Sequence, residues 1–295
     1  MNLIQGNMKM IKNFDELQAV VKERPLKRVA VVAAEDAMII EAAQRAQSLG
    51  LAEFILLGNA EKIRELCPDC GEGFQILDSE NPSQDAIALV REGKADLLMK
   101  GRVSTGVLIR AVLNRETGLR EGKLLNHIAV VESPSYHKFI CISDGGINLD
   151  LTEEVFEGMV RNDAQFLKRL GNHNPKFAMA SLLEKVNEKM PDTVMAKKVA
   201  DRLKGEFQIE GPIAPDVALF TEARDRKGLA SEISGDTDVL LMSHTSAANH
   251  LIKGLRFLGG CLIGGVVVGA RVPIILLSRS DDADTRFRSI LLGLM

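Results

Sequence analysis

Three short stretches of this chain carry the residue types an oxyanion site requires. Lys100-Gly101-Arg102-Val103-Ser104-Thr105, Glu210-Gly211-Pro212 and Ser278-Arg279-Ser280-Asp281 each follow an apolar run of strand length. In α/β proteins ligands bind at the carboxyl ends of parallel strands, and the next helix offers backbone N–H groups to an anion there. Lys, Arg and hydroxyl groups at such points suit a phosphate or a developing oxyanion. Each hydroxyl or Asp could equally cap the helix that follows. Two of the three stretches combine a cation with a hydroxyl, which favours the anion site.

Other chemistries lack their residues. Gly101–Gly106 has the glycine spacing of a phosphate-binding loop, but Val107 and Leu108 stand where its Lys and Ser/Thr belong. No G-x-G-x-x-G follows a strand, and HExxH, an EF-hand loop and G-x-S-x-G are absent. His244 and His250 fall on different faces of a helix, which argues against a zinc pair. Cys67-Pro68-Asp69-Cys70 is a lone CxxC placed after a helix, where a redox thiol gains nothing from the helix dipole. Neither metal nor redox chemistry is expected there. The four cysteines do not make a disulfide framework, and a reducing cytoplasm is the expected setting.

The scaffold for these loops is legible as an alternation. Arg28–Ala34 is a continuous apolar run, the signature of a parallel strand covered on both faces. Asp36–Gly50 follows with helical spacing and ends at a glycine. The same rhythm recurs through Glu53–Leu57, Phe74–Leu77 and Asp96–Met99, each followed by a helix, the last over Thr105–Leu113. A mostly parallel sheet with crossover helices is the expectation. After Gly118 the character changes: His127–Val131 and Phe139–Ile142 read as an antiparallel pair, followed by a long helix capped by Thr152. The α/β rhythm then returns, with strands at Lys176–Ala180, Phe207–Glu210 and Asp238–Leu241 and helices at Thr193–Lys204, Pro215–Arg224 and Ser246–Phe257.

Phe257–Leu277 is almost wholly apolar and long enough to span a membrane, but Gly259, Gly260, Gly264, Gly265, Gly269, Arg271 and Pro273 interrupt it. Two buried strands joined through Gly269-Ala270-Arg271 are expected instead, with a closing helix over Asp281–Leu292. No export signal is expected from MNLIQGNMKMIKNF. The 295 residues carry 37 Lys+Arg against 40 Asp+Glu, a net charge of −3, with no Trp and one Tyr. That balance disfavours nucleic acid as a partner, and no membrane partner is expected.

Five landmarks, in order, carry a resemblance: LLMKGRVSTGVLIRAVL (97–113), ISDGGINLD (142–150), EKVNEKMP (184–191), IEGPIAPDVAL (209–219) and PIILLSRSDDADTRFRSI (273–290). Over nearly the whole chain the sequence resembles the phosphate acetyl/butyryl transferase family, most closely its phosphotransbutyrylase branch. The resemblance implies a two-domain, three-layer α/β fold like that of isocitrate and isopropylmalate dehydrogenases, with the active site in the inter-domain cleft. It implies a first domain of 1–119 rejoined by 266–295, and a second of 120–265 that carries the interface of a homodimer or higher homo-oligomer. The implied reaction interconverts a short-chain acyl-CoA plus phosphate with an acyl phosphate plus CoA, in the cytoplasm and with no cofactor.

Carried across by residue, Ser278 and Arg279 match the family's Ser-Arg pair at the phosphoryl or acyl group, and Arg110 matches an arginine used against phosphate. Lys100, Gly101, Ser104 and Thr105 line the same mouth, and Asn249 and Lys253 match a family helix start. Thr285 stands where acetyl enzymes place an aspartate base, with Asp284 one residue earlier, so Asp284 becomes the candidate base. Asp281 and Asp284 also have the spacing of a helix-capping pair. Ala248 and Glu210 replace a family glycine and aspartate. Two alternatives compete: a non-catalytic acyl-CoA-binding relative, and a metal- and NAD-dependent decarboxylating dehydrogenase of the same architecture. The second would need clustered aspartates and an NAD loop, and Asp281-Asp282-Ala283-Asp284 is the sole acidic cluster.

Overall fold

In the computed structural model, which describes residues 9–122, 124–276, 278 and 280–295, the first apolar run forms strand β1 (Lys27–Val32), reached from helix α1 (Phe14–Lys22). Asp36 caps helix α2 (Ala37–Ser48) by accepting from the Met38 and Ile39 N–H groups. Strand β2 (Ala52–Gly58), helix α3 (Ala60–Leu66), strand β3 (Phe74–Asp78), helix α4 (Pro82–Arg91), strand β4 (Leu97–Lys100) and helix α5 (Thr105–Val112) complete the expected alternation. β1 pairs in parallel with β2 and β4, and β2 with β3. Val29 to Val32, Phe54, Leu56 and Leu97 to Met99 are almost fully buried, as strands covered on both faces require.

The antiparallel pair is strand β5 (Asn126–Glu132) with strand β6 (Ile140–Ser143). Thr152 caps helix α6 (Glu153–Arg169) at the Val155 N–H, with Glu153 and Glu154 in the first turn to complement the dipole. Strand β7 (Lys176–Ala180), helix α7 (Pro191–Leu203), strand β8 (Gln208–Ile213), helices α8 (Pro215–Leu219) and α9 (Thr221–Arg226), strand β9 (Val239–Met242) and helix α10 (Thr245–Phe257) follow. The strands run in the order β5-β6-β9-β7-β8, parallel from β6 onward. The apolar tail becomes strand β10 (Leu262–Val268), antiparallel to the two-residue strand β11 (Ile274–Ile275), and helix α11 (Ala283–Leu294) closes the chain. β11 is parallel to β4. Among the described residues no helix is long and apolar enough to cross a membrane.

The chain divides into two compact units, one of Met1–Asn13 with Leu124–Leu262, the other of Phe14–Lys123 with Ile263–Met295. The Ile11 N–H donates to the Leu170 carbonyl at 2.9 Å, which ties the segment ahead of α1 to the first of these.

Three expectations are corrected. Glu210-Gly211-Pro212 is not a strand-end loop but lies inside β8. β8 is the outer neighbour of β7, and their register shifts between Ala178 and Ala180, so the edge strand absorbs a proline that cannot donate. The helix expected over Pro215–Arg224 breaks in two at Phe220, whose backbone is extended. Cys67 and Cys70 are joined in a disulfide rather than standing as free thiols. The turn that ends α3, with the Cys70 N–H on the Cys67 carbonyl, brings the two sulfurs together.

Candidate active site

The Phe14–Lys123 and Ile263–Met295 unit gathers most of the sequence candidates. β4 lies between β1 and β11 and parallel to both, with Lys100 opposite Val32 and Met99 opposite Ile275. Three strand ends therefore lie side by side. They also mark a reversal of strand order, because β2 and β3 extend from one side of β1 and β4 from the other. Such switch points leave a crevice beyond the strands' carboxyl ends.

Lys100 is the last residue of β4 and is buried, with Nζ 3.2 Å from the Gly101 carbonyl. Gly101 passes so close to β1 that a Cβ there would lie 2.0 Å from the Ala33 carbonyl oxygen and 2.4 Å from that of Val32. The contact is made by backbone: Gly101 N–H donates to Val32 and Arg102 N–H to Ala33, at 2.8 and 2.7 Å. Ser104 caps α5 by accepting from the Val107 N–H, so its hydroxyl already has the capping role. Thr105 opens α5, and Arg110 lies exposed in its last turn.

After β11, the described residues Ser278, Ser280 and Asp281 are joined by polar contacts. Ser278 N–H donates to Asp281 Oδ2 at 2.8 Å, and the Ser278 and Ser280 hydroxyls are 3.0 Å apart. Arg279 lies outside the described residues. The expected capping pair is corrected: Asp282 caps α11 at the Thr285 N–H, while Asp281 binds back to Ser278. Asp284 projects from the first turn, largely exposed, and its Oδ1 is 2.6 Å from Arg45 Nη1. Arg45 also lies over the Phe287 ring at 4.0 Å. Sequence reasoning missed Arg286, which is 4% exposed and donates from Nε to the Asp281 carbonyl at 3.0 Å. Its Nη2 lies 3.8 Å from Asp36 at the start of α2. Arg286 thus pins the 278–282 turn, and its mark in the sequence was its place four residues after the capping Asp282.

The other unit holds Asn249 and Lys253, one helical turn apart on α10. Asn249 Nδ2 donates to the Gly145 carbonyl at 3.0 Å, and Lys253 is exposed. The 144–148 loop is built around Asp144, which is fully buried. Its carboxylate accepts from the N–H groups of Gly146, Ile147 and Asn148 at 2.8 to 3.0 Å. Thr245 Oγ1 adds a bond to the Asn148 carbonyl. Asn249 and Thr245 therefore hold a preformed loop.

Beneath that loop lies a network the sequence did not reveal. Asn126 Nδ2 bridges Ser143 Oγ and Asp163 Oδ1 at 2.9 and 2.7 Å, and Asn162 donates to Asn126 Oδ1 at 2.8 Å. Burial pushes the Asp163 carboxyl up to about 8 against the opposing pull of Asn126 and Ser143, so it is protonated at neutral pH. Its signal was a lone acid on the buried face of α6, in line with Phe156, Met159 and Val160. Among the described residues no cluster of three or more His, Cys, Asp or Glu is placed to hold a metal ion.

A family described as "Phosphate acetyl/butaryl transferase" matches residues 74–293, a span that includes all ten site candidates. The chain belongs to the phosphate acetyl/butyryl transferase family. A phosphate butyryltransferase of Clostridium acetobutylicum is 36% identical over 96% of this chain and 98% of its own. A phosphate acetyltransferase of Thermotoga maritima is 34% identical over 90% of this chain and 94% of its own. Among solved structures, a branched-chain phosphotransacylase from Enterococcus faecalis superposes with a TM-score of 0.84 at 29% identity, covering 91% of this chain and 98% of that one. The fold is shared more widely: a 4-hydroxythreonine-4-phosphate dehydrogenase from Klebsiella pneumoniae gives a TM-score of 0.60 at 13% identity, covering 92% and 99%. The family's mixed α/β fold and its standing as phosphate acyltransferases thus agree with the expectation drawn from the five landmarks.

Proposed function

We propose that this chain interconverts a short-chain acyl-CoA plus inorganic phosphate with an acyl phosphate plus CoA, with a preference of the butyryl type. The observation that carries the reading is the side-by-side placement, on the parallel strands β4 and β11, of the Lys100–Thr105 loop and the Ser278 turn. A buried ammonium, hydroxyls and the start of α5 beyond neighbouring strand ends would suit a phosphate dianion.

In the direction that consumes CoA, the thiolate sulfur attacks the carbonyl carbon of the acyl phosphate. The carbonyl electron pair moves to oxygen, the tetrahedral intermediate collapses, and the C–O bond to phosphate breaks. Lys100, Arg110, Ser278 and Arg279 are assigned to the phosphoryl oxygens and the oxyanion, and Ser104 and Thr105 to the rim at the start of α5. Asn249 and Lys253 are assigned to substrate binding, Asn249 by holding the Gly145 loop. Asp284 is assigned the thiol proton. CoA and phosphate are substrates, and no cofactor takes part. A cytoplasmic homodimer or larger homo-oligomer completes the reading.

The test is CoA release from acetyl-, propionyl-, butyryl- and isobutyryl-CoA, followed by free thiol with and without phosphate. Release that depends on phosphate is expected, fastest with three- to five-carbon acyl groups. Each methylene changes kcat/KM by about 10- to 200-fold at most. Acetyl-CoA as the best substrate would reject the butyryl preference, and equal release without phosphate would mean a thioesterase.

Asp284→Asn tests the proton acceptor. Because Asp282 is the cap of α11, this variant keeps the helix start and loses an exposed ion pair with Arg45, a change of about 0–1 kcal/mol in stability. In the CoA-consuming direction it should be slow at pH 7 and partly rescued at pH 9, where the solvent supplies thiolate. Full activity at pH 7 would remove Asp284 from the mechanism and direct attention to Asp281.

A further inference from the structure

We propose that a cavity within the Leu124–Leu262 unit is the acyl-chain pocket, and that Met179, Met195 and Ala196 set the chain length it accepts. This rests on the acyltransferase reading above and names where its specificity is decided. The cavity measures about 240 Å³ and opens at the carboxyl ends of β7 and β9. Met179 and Ala180 come from β7, Leu241 from β9, Phe156 from α6, and Met195 and Ala196 from α7. β7 is the strand at which this unit's order reverses, with β8 on one side and β9 on the other. That is the place where an open α/β sheet forms a ligand crevice.

Size and charge narrow the occupant. Pockets for drug-sized ligands run to roughly 300–1,000 Å³, so this one suits a smaller group. Its lining is mainly apolar, and the carboxylates of Asp150 and Asp192 stand among its polar groups. Among the described residues no Lys or Arg lines it. With His244 as the lone basic side chain of the lining and no Lys or Arg beside them, the two acids disfavour a phosphate or the phosphates of CoA, while an uncharged alkyl chain meets no such repulsion. Asp192 is held in place by Ser181 Oγ at 2.8 Å. The two methionines supply flexible, polarisable walls that fit chains of differing shape. A short aliphatic acyl group is the occupant that fits both the volume and the sign of the charge.

The experiment changes the cavity in both directions and reads a substrate ratio. Ala196→Leu fills it, and the ratio of kcat/KM for butyryl-CoA over acetyl-CoA should fall about tenfold or more. Met195→Ala enlarges it, and the ratio for hexanoyl-CoA over butyryl-CoA should rise about fivefold or more. Ala196 is 3% exposed, so the larger side chain could prevent folding; Met195→Ala, on a half-buried position, then carries the test alone. Folded variants whose chain-length profile runs parallel to that of the unsubstituted protein would overturn the pocket assignment and leave the acyltransferase reading standing. Absence of phosphate-dependent CoA release with every acyl-CoA in the unsubstituted protein would overturn that reading, and the pocket with it.

Discussion

Arg279→Ala should lower kcat/KM for acyl transfer by about 30- to 1,000-fold, roughly 2–4 kcal/mol, the scale of losing one preorganised oxyanion donor. The expectation rests on the match of Ser278-Arg279 to the family's Ser-Arg pair. Beside it, Ser278 N–H is bound by Asp281, and the Asp281 carbonyl is in turn held by the buried Arg286. Arg279→Lys should recover little of the loss. An ammonium is a point charge and cannot reproduce the two-pronged contact of a guanidinium with phosphate oxygens. Both variants should keep the thermal midpoint of the unsubstituted protein. Steady-state kinetics with varied phosphate checks this. A kcat/KM within about threefold of the original for Arg279→Ala would remove the residue from the site.

Gly101→Ala should be severely damaging for so small a change. Its Cβ would meet the backbone carbonyl oxygens of Ala33, just past β1, and Val32 at 2.0 and 2.4 Å, and backbone cannot rotate away as a side chain can. The loop must then move off β1, breaking the Gly101 and Arg102 hydrogen bonds to Val32 and Ala33. A cost of about 3 kcal/mol or more is expected, at the large end for a single substitution. At this chain length that lowers the thermal midpoint by about 5 °C or more. Activity should fall further than stability, since Lys100 and Ser104 ride on the displaced segment. Gly106→Ala is the control. Nothing lies within 4 Å of its Cβ position in the first turn of α5, so alanine should be neutral or stabilise by up to about 1 kcal/mol. Equal midpoints for the two variants would contradict the close approach at Gly101.

What could be read from the sequence, and what could not, divides along physical lines. β1, β2 and β4 were legible because a strand covered on both faces must be apolar throughout. Thr152 was legible as a cap because the acids that complement the helix dipole follow it directly. The glycine-interrupted tail was legible as β10 and β11 because Pro273 and the glycines cut it into pieces of strand length. Features that depend on a distant neighbour were not legible. Gly211-Pro212 reads as a loop until the bulge against β7 and the edge position of β8 are known. Five acidic or hydroxyl candidates crowd residues 278–284, and only the backbone decides that Asp282 is the cap while Asp281 turns back to Ser278. Asp144 and Asp163 sit in polar-looking and apolar-looking contexts respectively, yet both are fully buried, one ringed by N–H groups and the other held neutral by burial. The Cys67–Cys70 bridge needed the turn after α3. The cavity at β7 and β9 draws its lining from four elements far apart in sequence.

Passage of the acyl group to phosphate is tested by incubating the chain with butyryl-CoA, with and without phosphate. Free CoA is followed by a thiol reagent, and acyl phosphate is trapped as its hydroxamate. Equal amounts of CoA and hydroxamate are expected when phosphate is present, and neither when it is withheld. CoA released without phosphate, or released with no hydroxamate formed, would rule out acyl transfer to phosphate.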